Sequence, residues 1–310
     1  MDYLPIPEAA TRQLIDSTTV FEEHARVKAQ ARPYAGGMYW KRQGAYEYLV
    51  KTNGVVQKSV GARSPRTEAI FEEFMSHKRD LEARLKSLAQ QLDQACRLNK
   101  AVKVGRVPSV VVNVLQALDD AGLSEHFAVV GTHALYAYET AAGVRIVPEA
   151  LATKDVDLLR DARKRVRFLT DLKLKGPSML AVLQRTDRTF RRKQGQLETA
   201  INDKGFEVDF LRRISEAGDP HPFRFSADEE DLWPAQANRA SVLTSAARWR
   251  HVVVSVTGRM AVMSTVPPRT FVEFKRWMSE RADRDPLKRQ RDARQAAIVA
   301  RLLDEGLLLQ

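Results

Sequence analysis

Two short segments of this chain alternate acidic and apolar residues: Asp155-Val156-Asp157-Leu158-Leu159 and Phe206-Glu207-Val208-Asp209-Phe210-Leu211. Both lie downstream of Val129-Val130-Gly131-Thr132. Alternation with a period of two marks a strand with one buried face, so Asp155 and Asp157 share a side while Val156 and Leu158 point into a core. Asp209 has Phe206, Val208 and Phe210 on its own apolar side. Carboxylates set side by side on a sheet repel one another and need a cation or basic partners. Hard oxygen donors of this kind suit Mg²⁺ or Mn²⁺. Two such ions about 3.5–4 Å apart can clamp both oxygens of an in-line displacement at phosphorus. An isolated Asp-x-Asp is often a plain solvated face, but Gly131-Thr132 before it and Asp209 after it favour the functional reading. Glu207 shares the face of Asp209 and is the alternative ligand.

Composition limits the class of protein. At 310 residues, with 44% hydrophobic and 29% charged residues, the chain can bury a proper core. No apolar run approaches the ~18 residues of a membrane helix, and Met1-Asp2-Tyr3-Leu4-Pro5 has no signal-peptide core. One cysteine, Cys96, excludes an internal disulfide, and the six histidines show no zinc-ligand spacing. A cytoplasmic protein without a membrane partner is expected. The net charge of +11 is uneven: residues 160–193 hold twelve Lys or Arg against three Asp. Such a block can track a polyanion, RNA above all, or be an ordinary solvated helix surface. Only Phe168 and Phe190 interleave with it, so base stacking is not evident there.

Three regions separate along the chain: 1–105, 106–266 and 267–310. The first opens with a helical stretch and a three-stranded meander, in which Asn53-Gly54 between β-rich runs is a strong hairpin signal. Ser64-Pro65 then starts a long helix to about residue 100, with Leu81, Leu85, Leu88 and Leu92 forming a narrow seam. That seam suits an arm packed within the chain better than a free coiled coil. Residues 104–108 read as a hinge before a helix over 109–120. The central region reads as strand 126–130, helix 132–140, strand 155–160, helix 177–191, a strand pair 198–202 and 206–212, and a hairpin 249–256 with 259–266. Helices over 269–281 and 286–303 close the chain. Gly131 would admit a phosphate close to the backbone, and Thr132 would add a donor at a helix start. His133 reads as structural.

The fold class is therefore α+β: a mixed sheet with helices, an N-terminal β-meander plus long helix, and a C-terminal helical lobe. A hydrophobic strand, a glycine with a small hydroxyl residue, an Asp-x-Asp strand and a later third Asp together resemble the nucleotidyltransferase superfamily with its polymerase-beta-like fold. Gly131-Thr132-His133-Ala134-Leu135-Tyr136-Ala137-Tyr138-Glu139 and Thr153-Lys154-Asp155-Val156-Asp157 are similar to an uncharacterised bacterial branch related to abortive-infection nucleotidyltransferase toxins.

The resemblance implies transfer of a nucleoside monophosphate from an NTP to an acceptor hydroxyl, with Asp155, Asp157 and Asp209 as metal ligands. It also implies nucleotide contacts from Gly131, Thr132, Lys275 and Lys288, support from Asp292, and a cognate antitoxin as partner. The long gap from Gly131 to Asp155 suggests a loop over 143–153 that overhangs the site. RNA, such as a tRNA end, is the favoured acceptor through the 160–193 block. A protein or small-molecule acceptor, or an inactive module that only binds nucleic acid or protein, are the competing readings.

Overall fold

The structure, a computed structural model, describes residues 2–54, 56–160, 178–215, 223–226 and 228–308. The chain divides into two compact units, Arg12–Ala101 and the remainder, Met1–Thr11 with Val102–Gln310.

In the smaller unit, strands Gly37–Gln43, Tyr46–Asn53 and Val56–Ala62 form the antiparallel meander that Asn53-Gly54 announced. Gly44 and Gly54 take the left-handed conformation its two turns require, with φ of 60° at each. The long helix Pro65–Ala101 begins at a reciprocal cap: the Thr67 N–H donates to Ser64 Oγ, and the Ser64 N–H to Thr67 Oγ1. Arg63, just before it, is held by Glu47 and Glu68. Gln13 and Glu23 of helix Glu8–Ala31 tie it to Asn99 and Arg84 of the long helix, whose leucine seam runs along the same buried stripe as Asn99. Leu88 is buried, and Leu81, Leu85 and Leu92 are half-buried.

The larger unit is built on a mixed sheet with six strands among the described residues. Phe127–Val130 pairs antiparallel with Asp155–Arg160, which pairs parallel with Glu207–Arg213. The far edge of Glu207–Arg213 is shared by Thr199–Ile201, antiparallel, and Ala235–Ala237, parallel. Arg191–Arg192 extends the sheet from Thr199–Ile201. Val156, Leu158, Val208 and Phe210 are all buried, so the period-two alternation places the acids on the opposite face as expected. Helices Ser109–Asp120, Met179–Gln184 and Leu135–Ala141 belong to the same unit, as does the hairpin Trp249–Val254 with Met260–Thr265. Pro268–Glu280 and Pro286–Asp304 end the chain, each starting with proline in its first turn. No described helix is long and apolar enough to cross a membrane.

Three local expectations fail. The helix expected over 177–191 spans only Met179–Gln184, and Arg191–Arg192 is a strand paired with Thr199–Ile201. Residues 143–153 are not an overhanging loop: Val144–Ile146 pairs with Tyr3–Pro5, and Pro148–Leu151 is a short helix with Ala150 and Leu151 buried. The hydrophobic residues in this stretch have a distant strand to pair with, which no local pattern announces. Residues 104–108 are not a free hinge either. Val107 exchanges backbone hydrogen bonds with the hairpin, donating to Val254 and accepting from Val256. Gly105 packs so closely that a Cβ there would meet the Val254 carbonyl oxygen at 2.3 Å.

Candidate active site

Strand register assembles the acids. In the parallel pair Asp157 lies opposite Asp209 and Asp155 opposite Glu207. Asp155, Asp157 and Asp209 each offer a carboxylate oxygen, and these lie within 4.8 Å of one another. Glu207 is drawn aside by Lys193, whose ammonium is 2.6 Å from its carboxylate. Asp209 accepts a hydrogen bond of 2.6 Å from the Thr199 hydroxyl on the neighbouring strand, and Asp155 accepts one from Thr153.

The electrostatics of this cluster are unfavourable without a cation. Burial, then the charges of Asp155 and Asp209, push Asp157 up to about 7, while Lys275 and Arg284 pull the other way. Asp209 is also raised, mainly by burial, with the Thr199 hydrogen bond opposing. Three hard oxygen donors this close, with the proton on Asp157 favoured by burial and by its acidic neighbours, are the donor set a divalent cation such as Mg²⁺ or Mn²⁺ satisfies.

Gly131 has φ +70°, and a Cβ built on it would meet Asp157 Oδ2 at 2.2 Å. The expected reason for this glycine, a close approach of phosphate, is joined by an immediate one within the fold: it makes room for the Asp157 carboxylate. The helix expected from residue 132 begins as a short 3-10 turn, Thr132–Ala134, before Leu135–Ala141. Thr132 is buried, and its hydroxyl accepts 3.1 Å from Gln295 Nε2, which also donates to the Ala150 carbonyl at 2.7 Å. The Thr132 proton thus stays available to a ligand. His133 is 1% exposed, packed against Tyr136 and Phe206, and burial pushes its pKa down to about 4. A neutral packed ring is the structural role the sequence assigned to it.

A cleft of about 370 Å³ opens on the acids. Lys275, Arg281, Arg284, Lys288 and Arg291 line it together with Asp155, Asp157, Asp209, Gly131 and Thr132. Lys275 and Lys288 therefore reach the site, though differently. Lys275 is buried, its ammonium 2.7 Å from the fully buried Asp292, and burial lowers its pKa against the pull of that carboxylate. Lys288 is exposed at the cleft edge, its backbone N–H capped by Asp285 at 3.0 Å. Asp292 takes Arg284 on its second oxygen.

Sequence reasoning did not single out Thr199, Arg281, Arg284, Arg291 or Gln295. Four of the polar residues on the last helix, at 288, 291, 292 and 295, follow helical spacing and turn one face toward the cleft. That stripe was the available signal for Arg291 and Gln295; Thr199, Arg281 and Arg284 had none. Half of the basic block assigned to RNA, residues 161–177, lies outside the described residues; of the described half, Arg191, Arg192 and Lys193 are paired with Asp203, Glu230 and Glu207.

A family described as Nucleotidyltransferase matches residues 109–310. The chain belongs to this family. No curated protein and no solved structure matches it significantly. The matched span contains every residue of the cleft, and the acidic cluster fits the metal-dependent nucleotidyl transfer of a nucleotidyltransferase.

Proposed function

We propose that this nucleotidyltransferase moves a nucleoside monophosphate from an NTP to a hydroxyl of RNA, such as a tRNA end. The observation that carries the reading is the convergence of Asp155, Asp157 and Asp209 beside Gly131-Thr132 in a cleft with five basic side chains.

Asp155, Asp157 and Asp209 would hold Mg²⁺ or Mn²⁺, which when bound lowers the pKa of the acceptor hydroxyl and offsets phosphate charge. Thr132 donates its free proton to the triphosphate, its oxygen held in place by Gln295. Lys275, pinned by Asp292, and Lys288 at the rim supply positive charge where pyrophosphate departs. The acceptor oxygen forms its bond to the α-phosphorus as the bond from that phosphorus to the bridging oxygen breaks. Pyrophosphate leaves with the electron pair, and the hydroxyl proton passes to solvent. No histidine base is needed, in keeping with the buried, neutral His133.

The test uses α-labelled NTPs with Mg²⁺ and either total RNA or lysate protein, comparing wild type with Asp157→Ala. Label on RNA that the variant fails to add supports the proposal. Label on protein or a small molecule transfers the same chemistry to another acceptor. No label with either metal reduces the chain to a binding module. The toxin relationship is tested by expression in a bacterial host: wild type arrests growth, Asp157→Ala does not, and a cognate antitoxin relieves the arrest.

A further inference from the structure

The floor of the cleft changes character along its two central strands. Residues two apart share a face, so Leu159 follows Asp157 and Leu211 follows Asp209 on the side that bears the acids, and both leucines line the cleft. Val130 pairs with Asp157 and Ala128 with Leu159, which puts Gly131 and Thr132 beyond the carboxylates from these leucines. Arg291 belongs to the Gly131 end as well, donating to the Ala152 carbonyl at 3.0 Å. One end of the cleft is therefore glycine, hydroxyl and cation, and the other is hydrocarbon. The step from carboxylate to leucine is two residues of strand, about 7 Å.

Two helices complete the hydrocarbon end. Ala240–Ser245 follows the strand paired with Leu211–Arg213, lies against both acid-bearing strands and against Pro268–Glu280, and adds Leu243 to the lining. On Pro268–Glu280, Phe274 and Met278 are one helical turn apart and flank Lys275, so one helix brings the cation to the acids and a ring and a thioether to the leucines. Phe274, Met278 and Leu211 are half-buried, leaving apolar surface open to the cleft. The Phe274 ring is braced by Trp277 at 5.6 Å, and Trp277 lies under the guanidiniums of Arg239 at 5.0 Å and Arg281 at 5.1 Å. Asp283 engages Arg281 at 2.8 Å, so that cation is already committed. Asn238 is the single amide side chain in the lining, and Arg239 after it holds φ at 56°, a conformation uncommon outside glycine. Aliphatic, thioether and aromatic groups with one neutral donor–acceptor suit a planar heterocycle, its face on the ring and its edge on the amide. A polyanionic acceptor backbone would instead be drawn to the Lys288 and Arg291 end.

We infer that this apolar end binds the nucleobase of the incoming NTP, with Leu211, Phe274 and Met278 as its contacts and Asn238 as the residue that discriminates among bases. The inference rests on the transfer reading of the acids and names the specificity element of the same cleft.

The experiment is titration calorimetry of the full chain in Mg²⁺, without acceptor, comparing inorganic tripolyphosphate with each of the four NTPs. Tripolyphosphate reads the phosphate end alone, so the extra affinity of an NTP reads the base. The expected result is at least one NTP that binds about tenfold or more tighter than tripolyphosphate. Phe274→Ala removes most of that difference and leaves tripolyphosphate binding unchanged, which also shows that the variant is folded. Asn238→Ala narrows the spread of affinities among the four NTPs. A protein that binds tripolyphosphate but no NTP more tightly overturns this inference and leaves the transfer reading standing. A protein that binds neither overturns both. Phe274→Ala with an undiminished NTP advantage overturns the base contact, and Asn238→Ala with an unchanged spread overturns the discriminating role. Should Phe274→Ala lose both ligands alike, Leu211→Trp decides, since it fills the pocket without hollowing the core. An NTP affinity reduced to that of tripolyphosphate then upholds the inference, and an unchanged one overturns it.

Discussion

Asp209 stands directly across the parallel strand pair from Asp157, and the Thr199 hydroxyl on the next strand donates to it at 2.6 Å. One continuous stretch of sheet therefore sets both the spacing of the two carboxylates and the orientation of the second. Removing either acid, as Asp157→Ala or Asp209→Ala, is expected to lower transfer at least about a hundredfold. Thr199→Val should weaken metal affinity about tenfold to a hundredfold while both acids remain. Metal titration followed by turnover separates the two effects, and a Thr199→Val protein with wild-type metal affinity would refute the orienting role.

The charge state of Asp157 predicts how stability depends on pH. Without a cation its carboxyl sits at about 7 in the folded protein, against about 3.9 in an unfolded chain. Between those values the folded state holds the proton more tightly. The Asp157 contribution is thus fully present below about pH 4 and is lost as pH rises through 7, by on the order of a few kcal/mol. Urea melts of the metal-free protein should show wild type losing stability relative to Asp157→Asn from acid to alkaline pH. Mg²⁺ should restore wild type at the alkaline end and leave the variant unchanged.

Gly131→Ala places a methyl group where Asp157 Oδ2 now lies, at a backbone φ of +70°. The fold can relieve this only by moving the carboxylate out of the cluster. The expected outcome is a folded protein, destabilised by about 1–3 kcal/mol because φ 70° with ψ −153° is a region essentially reserved for glycine, whose activity drops at least about a hundredfold. Retained metal binding and activity would show that the carboxylate has another place to sit.

Asp292 is fully buried and bears both Lys275 and Arg284. Asp292→Ala leaves the Lys275 ammonium buried without its partner, a change expected to destabilise the protein by about 3–5 kcal/mol. Asp292→Ala combined with Lys275→Met should recover much of that stability but not activity. Thermal melts of the single and double variants check the coupling.

Gln295 spans from the Thr132 hydroxyl to the Ala150 carbonyl, inside the core. Gln295→Leu keeps the volume but removes both donors. If Thr132 contacts the triphosphate as proposed, a rise in KM for the NTP of about tenfold is expected, since its hydroxyl loses the bond that orients it. An unchanged KM would leave Gln295 with a purely structural role.

Much of this architecture was legible in local patterns. The alternation at 155–159 and 206–211 named both acid-bearing strands, Asn53-Gly54 named a hairpin, and the helix over 109–120 was read to its observed ends. These succeed because backbone geometry imposes periods of 2 and 3.6 on short stretches whatever surrounds them. The same logic fails at 143–153, where Val144–Ile146 becomes a strand only through pairing with Tyr3–Pro5, well over a hundred residues away.

By itself the sequence determined which acids share a face, in what order the core elements come, and that the carboxylates need a cation or basic partners. Only the tertiary structure decided that the Gly131 backbone makes room for Asp157, that Asp292 pins Lys275, and that Gln295 holds Thr132 from 163 residues further along the chain. Those relationships depend on how distant helices and strands dock. Docking is set by the complementarity of whole buried surfaces, which no local run of residues contains.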